Sequence, residues 1–167
     1  MKSFWNKKNS FICLTEKYLA NNKRFYPKKI KLTDLSNLNV LNSRKKGQTR
    51  LTRNSKLFKV IINAILDKKG ENIVSLDLKK IPEAVSDFFI ICEASNNNQL
   101  RAIADNIEKE VKEQCDENPF KHEGRQAEQW ILIDFVDVVV HIMLPEPRKF
   151  YQLEELWSDA VSMEHNS

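Results

Sequence analysis

The sequence predicts an α/β fold, a compact sandwich of helices on a mixed sheet of mostly five strands. Segments of helical and of strand periodicity alternate from Ser55 to Ala160, which is typical of an α/β domain. One strand segment is nearly all apolar, as expected for a strand that is covered on both faces. The residues before Ser55 show neither periodicity. We therefore expect a tail at residues 1–53, one domain at 55–160 and a C-terminal tail at 161–167.

The first predicted element is an amphipathic helix. Ser55 is a suitable N-cap, apolar residues recur after it at helical spacing, and Gly70 stands where a helix usually ends. Two strands follow, at Ile73–Leu78 and Asp87–Cys92, and the second is the apolar run. We therefore expect this second strand to be covered on both of its faces.

A second amphipathic helix comes next along the chain. Ser95 or Asn96 caps it, a stripe of apolar residues faces the core, and the helix continues to about Cys115. The charged residues on its other side, among them Asp105 and Glu108, are expected to face water.

Three further segments complete the predicted sheet. Phe120–Glu123 is a brief strand, and Trp130–Phe135 and Val138–Leu144 form a hairpin with a tight turn. Pro145 suits the start of a last helix. The apolar face predicted for that helix consists of Phe150, Leu153, Leu156 and Trp157.

Charge divides the chain into two unlike parts. Residues 1–56 hold 15 basic and 2 acidic side chains, a balance of +13, whereas residues 57–167 hold 12 basic and 21 acidic, a balance of −9. The basic, Lys- and Asn-rich part cannot bury enough apolar surface to offset the entropy of ordering it, so we expect a disordered tail. The tail favours RNA, while the acidic domain favours a basic protein surface.

The origin of the tail has three alternative explanations. It is an RNA-attracting arm, an organellar presequence, or translated sequence upstream of a misassigned start. Presequences are rich in Arg and Ser, whereas this segment prefers Lys and Asn, which disfavours the second alternative.

Composition also excludes several protein classes. No stretch approaches the roughly 20 apolar residues that a membrane-spanning helix needs. Cys13, Cys92 and Cys115 have no CxxC or Cys/His spacing, which excludes a zinc module and indicates a reducing compartment. We therefore expect a soluble protein without structural metal.

The polar residues that could carry chemistry gather at the hairpin. Strand periodicity puts Trp130, Leu132 and Asp134 on one face of its first strand and the intervening isoleucines on the other. Asp137 lies in the turn. His141, inside an apolar strand, is typical of a neutral, hydrogen-bonded histidine in a half-buried strand and not of a catalyst.

Two functions are compatible with this hairpin. In one, Asp134 and Asp137 hold Mg²⁺ in a metal-dependent nucleotidyltransferase-like enzyme. Such sites usually add a glycine-rich loop for the phosphates, but the chain has only three glycines and no GxGxxG or GxxxxGK[ST] motif. In the other, Trp130 anchors a protein interface. The missing loop favours the second, a binding protein that needs no cofactor.

Two long runs of sequence resemble one known family. They are AVSDFFIICEASNNNQLRAIADNIEKEV at residues 84–111 and HEGRQAEQWILIDFVDVVVHIMLPEPRKFYQLEELWSDA at residues 122–160. The motifs are an Asp-aromatic-Phe-Ile strand, Glu-Gly before Trp, an Asp-x-x-Asp-Val-Val-Val-His hairpin and an Arg-x-Phe-Tyr-x-Leu-Glu-x-Leu-Trp ending, in family order. The chain thus resembles the ribosomal silencing factor family, also called Iojap, over essentially the whole predicted domain.

The resemblance implies a nucleotidyltransferase-like topology without that enzymatic activity. It implies that the chain binds ribosomal protein fourteen on the intersubunit face of the large ribosomal subunit, sterically blocks subunit joining and represses translation under nutrient limitation. The partner-binding residues implied are Trp130, Ile131, Leu132, Asp134 and Asp137. Further positions match the family motifs, with their division between contact and fold left open: Ser86, Asp87, Glu123, Gly124, His141, Arg148, Tyr151, Glu154 and Trp157.

The same resemblance sets expectations for partners and location. We expect the large ribosomal subunit as partner, with rRNA contact by the basic tail and a homodimer as further alternatives. No catalytic residue, metal or cofactor is expected. The expected location is the bacterial cytoplasm, or an organelle if the tail is a presequence.

The sequence departs from the family pattern in two places. Val136 stands where the family usually has glycine, immediately before Asp137. A β-branched residue disfavours positive φ, so a different turn type is expected. The segment Glu93–Asn96 replaces a Gly-Asn-Ser-like loop, which argues against a phosphate-binding role for that loop.

Overall fold

A computed structural model of the chain describes residues 51–81, 84 and 86–165. The predicted disordered tail at residues 1–53 therefore lies outside the described residues, apart from 51–53. Within the described part, no helix is both long and apolar enough to cross a membrane.

Helices and strands alternate along the described chain, as the sequence predicts. They are α1 (Lys56–Asp67), β1 (Glu71–Asp77), β2 (Phe88–Glu93), α2 (Asn97–Cys115), β3 (Lys121–Glu123), β4 (Trp130–Asp134), β5 (Val138–Met143), α3 (Pro145–Tyr151), α4 (Leu153–Leu156) and β6 (Val161–His165). The strands form one sheet in the order β3-β4-β5-β2-β1-β6. Because β2 pairs with β5 in parallel and the other neighbours are antiparallel, the predicted mixed sheet is confirmed.

The sheet has six strands, one more than the sequence predicts. Residues 161–165, predicted as part of a C-terminal tail, instead form β6, which pairs with β1. Arg53 Nη2 donates to the carbonyl oxygen of Val161 at 2.7 Å, and the His165 ring contacts that of Phe58 with centroids 5.7 Å apart. Backbone pairing and these contacts hold β6 in the sheet. Because its side chains are largely exposed, the sequence has no apolar pattern that predicts this strand.

Helices α1 and α2 cover one face of the sheet and form the main core with it. The Ser55 side chain caps α1 by accepting the Phe58 N–H at 3.4 Å, and Asn96 caps α2 by accepting the Gln99 N–H at 2.9 Å. Their apolar stripes pack against alternate residues of β2, β4 and β5. The first five residues of β2 are all buried, so the predicted covering of this strand on both faces is confirmed.

The second face of the sheet carries α3 and α4, which replace the single last helix of the prediction. Gln152 has a φ of 46°, in the left-handed region, and this residue separates the two helices. Because the chain changes direction at Gln152, residues before and after it no longer share one helical face. The predicted apolar face is therefore wrong at its N-terminal end. Leu153 is buried, but Phe150 is 75% exposed.

Candidate protein-docking surface

Strand β4 separates buried from accessible side chains in strict alternation. Trp130, Leu132 and Asp134 are half-buried on the second face of the sheet, whereas Ile131 and Ile133 are 0% exposed in the main core. The alternation predicted from the sequence is confirmed. Ile131 is among the residues that the family resemblance places at the partner surface, but period two turns its side chain toward α1 and α2.

The Trp130 indole is held in place by its neighbours. Its Nε1–H donates to His141 Nδ1 at 3.3 Å. The Tyr151 ring lies against it, with centroids 5.0 Å apart, and the His141 ring lies 5.7 Å away. We call the side of β4 and β5 that carries Trp130, Leu132, Asp134 and His141 the hairpin face.

His141 is the buried support of this face. It is 5% exposed, and burial lowers its pKa from 6.5 to about 3, so the ring is neutral. Because Nδ1 accepts the indole N–H, Nε2 carries the proton, and that atom is buried without a hydrogen-bond partner among the described residues. The prediction of a neutral, hydrogen-bonded histidine agrees with this geometry, although the residue is buried and the expected strand was half-buried.

Gly124 fixes the chain where it approaches Trp130. Its φ of 84° lies in the left-handed region, and a Cβ placed on it would stand 1.9 Å from the Trp130 carbonyl oxygen. No other residue type fits here without a backbone shift. The neighbouring Glu123 pairs with Lys121 along the same edge of the sheet.

Residues 124–129 connect β3 to Trp130, and ion pairs tie this loop to α2. Arg125 contacts Asp105 at 2.6 Å and Glu108 at 2.8 Å, and the Asp105 hydrogen bond raises the pKa of the guanidinium. Arg101 pairs with Glu128 at 2.9 Å. Asp105 is exposed as expected, but both carboxylates also pair with Arg125, and the sequence gives no sign that a distant loop returns to this helix.

The hairpin turn places Val136 in a conformation that suits glycine. Its φ is 70°, its side chain is 61% exposed, and its N–H donates to Asp134 Oδ1 at 2.7 Å. The carboxylate compensates in part for the strain of a β-branched residue with positive φ. Asp134 thus has a structural task in the turn.

Asp137, with Ser86 and Asp87, joins the hairpin to the start of β2. The Asp137 carbonyl oxygen accepts the N–H groups of Asp87 at 3.1 Å and Phe88 at 3.0 Å. Ser86 and Asp87 are buried, and the Ser86 hydroxyl donates to the Phe88 carbonyl oxygen at 3.3 Å. No group of three or more His, Cys, Asp or Glu that could hold a metal occurs in the described residues.

The remaining motif positions attach α3 and α4 to the sheet. Arg148 donates to Glu154 Oε1 through Nε at 3.1 Å and Nη2 at 2.6 Å, and its side chain is mostly buried. Trp157 packs edge-on against Phe89, with ring centroids 5.7 Å apart. Tyr151, in contrast, lies beside the indole on the hairpin face. The structure thus brings Trp130, His141 and Tyr151 together and leaves the Arg148 pair as a support of the fold.

Comparisons with known proteins agree with the sequence motifs. A family model described as ribosomal silencing factor during starvation matches residues 52–167. The ribosomal silencing factor of Halalkalibacterium halodurans is 40% identical over 111 residues, which are 66% of this chain and 93% of that protein. The one from Bacillus subtilis is 40% identical over 107 residues, 62% of this chain and 86% of that protein.

A solved structure extends the similarity to the fold. The crystal structure of a Chromobacterium violaceum protein superimposes with a TM-score of 0.58 at 34% identity, covering 61% of this chain and 83% of that one. The matched family model spans well over half of the chain and includes every described strand and helix. The chain therefore belongs to the ribosomal silencing factor family.

Proposed function

We propose that this member of the family docks its hairpin face on ribosomal protein fourteen of the large subunit, blocks the approach of the small subunit and so represses translation when nutrients are limiting. One observation carries the proposal. The Trp130 indole is held by His141 and Tyr151, yet the residue is only partly buried. A side chain already held in its binding orientation loses little entropy on association, and Trp is a frequent interface anchor.

The charge of the domain favours a basic partner. Residues 57–167 carry a balance of −9, which repels a phosphate backbone and attracts a basic ribosomal protein. The mechanism is steric: an occupied intersubunit face cannot receive the small subunit, and no bond is made or broken. The hairpin aspartates serve this role through the turn, where Asp134 accepts the Val136 N–H.

Co-sedimentation tests the proposal directly. Full-length protein is mixed with bacterial large subunits, pelleted, and then assayed for its effect on the yield of joined ribosomes after small subunits are added. We expect wild-type protein to co-sediment and to lower that yield. Trp130→Ala is expected to weaken binding by about tenfold or more, because it removes the anchor.

A matched variant separates loss of binding from loss of fold. Phe120 is another exposed aromatic residue, 76% exposed and placed before β3, away from the indole. Phe120→Ala is expected to bind as wild type does. If wild-type protein ignores large subunits at every salt concentration, or if the two variants behave alike, the proposal is wrong.

Three finer features accompany the proposal. The basic residues 1–53 are proposed to contact rRNA, so replacing their lysines by glutamine should reduce the salt dependence of subunit binding. The proposed location is the bacterial cytoplasm, or an organelle if mass determination of the mature N-terminus shows that the tail is removed. A homodimer is a further alternative, which light scattering of the purified protein decides.

A further inference from the structure

Phe150 is an apolar side chain in the described part of the chain that the fold does not explain. It is 75% exposed, although it sits in a helix whose neighbour α4 buries Leu153. Single exposed apolar residues are common on protein surfaces. The surroundings of this one distinguish it from Phe120, which has almost the same exposure.

Three rings form a continuous aromatic row from β4 onto α3. Trp130 and Tyr151 have centroids 5.0 Å apart, and Tyr151 and Phe150 have centroids 5.0 Å apart with planes at 86°. The row thus begins at the proposed docking residue and ends at the most exposed ring of the three. Phe120 is hydrogen-bonded through its backbone N–H to Asp134, at the turn end of β4, and has no part in the row.

The helix that presents Phe150 is attached to the fold at its start and in its middle. At its start, the Leu144 N–H donates to the Gln129 carbonyl oxygen at 2.9 Å, next to Trp130. In its middle, Arg148 is paired with Glu154 of α4 at 2.6 Å. The helix backbone that carries Phe150 therefore has a defined position relative to the indole, as the support of an interface anchor requires.

The surrounding charge identifies the kind of surface that this row fits. Residues 145–160 contain four acidic and two basic side chains, and one of the basic residues, Arg148, is already paired. Glu146 and Glu155 are exposed on α3 and α4, and Lys149 is the exposed basic residue beside Phe150. The net acidic balance of the segment that carries the row disfavours an anionic membrane and favours a protein surface with basic side chains.

We propose that the docking surface extends along the aromatic row and that Phe150 is its outer anchor, which enters an apolar recess rimmed by basic side chains on the protein partner. The proposal rests on the proposed function and adds a second contact point, on α3. Two anchors separated by the Tyr151 ring determine the orientation of the bound domain, which one indole alone does not.

Binding of full-length variants to bacterial large subunits tests the proposal. Phe150→Ala and Phe120→Ala remove the same side chain from positions of equal exposure, and thermal denaturation of both is expected to match wild type. We expect Phe150→Ala to raise the dissociation constant by about tenfold or more and Phe120→Ala by less than about twofold. Phe150→Tyr should restore most of the affinity.

The outcomes distinguish this proposal from the proposed function. If Trp130→Ala weakens subunit binding while Phe150→Ala and Phe120→Ala bind alike, only the extension along the row is overturned. If wild-type protein does not bind subunits, both are overturned. Vesicles of phosphatidylcholine and phosphatidylserine form the last arm: a loss of vesicle binding in Phe150→Ala without a loss of subunit binding makes the ring a membrane contact and overturns the extension.

Discussion

The two faces of the sheet are held by different kinds of contact. On the face covered by α1 and α2, residues such as Ile131 and Ile133 are fully buried and are positioned by packing alone. On the hairpin face, Trp130 is positioned by a hydrogen bond to His141 and by a backbone approach to Gly124. Close packing of buried side chains stabilises the face covered by α1 and α2. A few directional contacts hold the side chains of the hairpin face in position.

This difference predicts different responses to substitution. In a packed core, many neighbouring side chains share the effect of a small change in one side chain. A hydrogen bond, in contrast, is lost entirely when one of its partners is removed. The following variants test whether the hairpin face depends on such contacts.

Gly124→Ala is expected to have the largest effect. The added Cβ would stand 1.9 Å from the Trp130 carbonyl oxygen, and the residue would keep a φ of 84°. Overpacking and left-handed strain together predict a loss of about 3 kcal/mol or more in the free energy of unfolding. Urea denaturation measures this loss. If the variant were as stable as wild type, the loop at residues 124–129 could shift without cost. The close backbone approach of Gly124 to Trp130 would then not hold the hairpin face in place.

His141→Gln is expected to change the pH dependence of stability. The folded pKa is about 3 and the ordinary value is 6.5, so below pH 6.5 the unfolded chain binds a proton that the folded chain does not. Stability from this group is complete above pH 6.5 and is lost progressively down to about pH 3. Between pH 7 and 5 the wild type should lose about 2 kcal/mol more than the variant.

Thermal and urea unfolding at several pH values check this second prediction. Because the other titrating groups are the same in both proteins, their contributions cancel in the difference. Equal pH slopes for wild type and His141→Gln would mean that the histidine is hydrated in the folded state, and the hairpin face would then be looser than its geometry indicates.

Val136→Gly is expected to have the smallest effect and the opposite sign. The φ of 70° strains a β-branched residue, and glycine relieves the strain at the expense of a more flexible unfolded chain. The net stabilisation should be about 0.5 to 1 kcal/mol, measured by urea denaturation. Val136→Ala is the control, because alanine shortens the exposed side chain but keeps most of the strain. If Val136→Gly were less stable than wild type, the inference that the positive φ strains Val136 would be wrong.

Most of the fold could be predicted from periodicity. The two long helices, the covered strand β2 and the hairpin followed from patterns of apolar residues, because each of them buries a regular stripe. Residue type indicated Ser55 as the first cap and Ser95 or Asn96 as the second, and the structure has Asn96. Strand β6 could not be predicted, since its side chains are mostly exposed and its contribution is backbone pairing. The division of the last helix at Gln152 had no signal either, because glutamine is an ordinary helix residue.

The docking surface was predicted in part. Strand alternation separated Trp130 from Ile131 correctly, whereas the family resemblance placed both at the partner surface. The pairs of Arg125 with Asp105 and Glu108 were missed, because partners 20 and 17 residues apart meet only once the tertiary fold is known. Phe150 was predicted on the apolar face of the last helix by a helical spacing that the break at Gln152 interrupts.

Strand β6 also bears on how the chain avoids misassembly. Its partner β1 lies far back in the sequence, with Ser75 opposite Met163, so the pairing forms only after most of the domain has been synthesised. Until then β1 is an open edge whose amide and carbonyl groups can accept a strand from another molecule. A chain truncated before Val161 would keep that edge permanently and should aggregate. Pairing of β6 late in synthesis thus protects the β1 edge from pairing with other molecules.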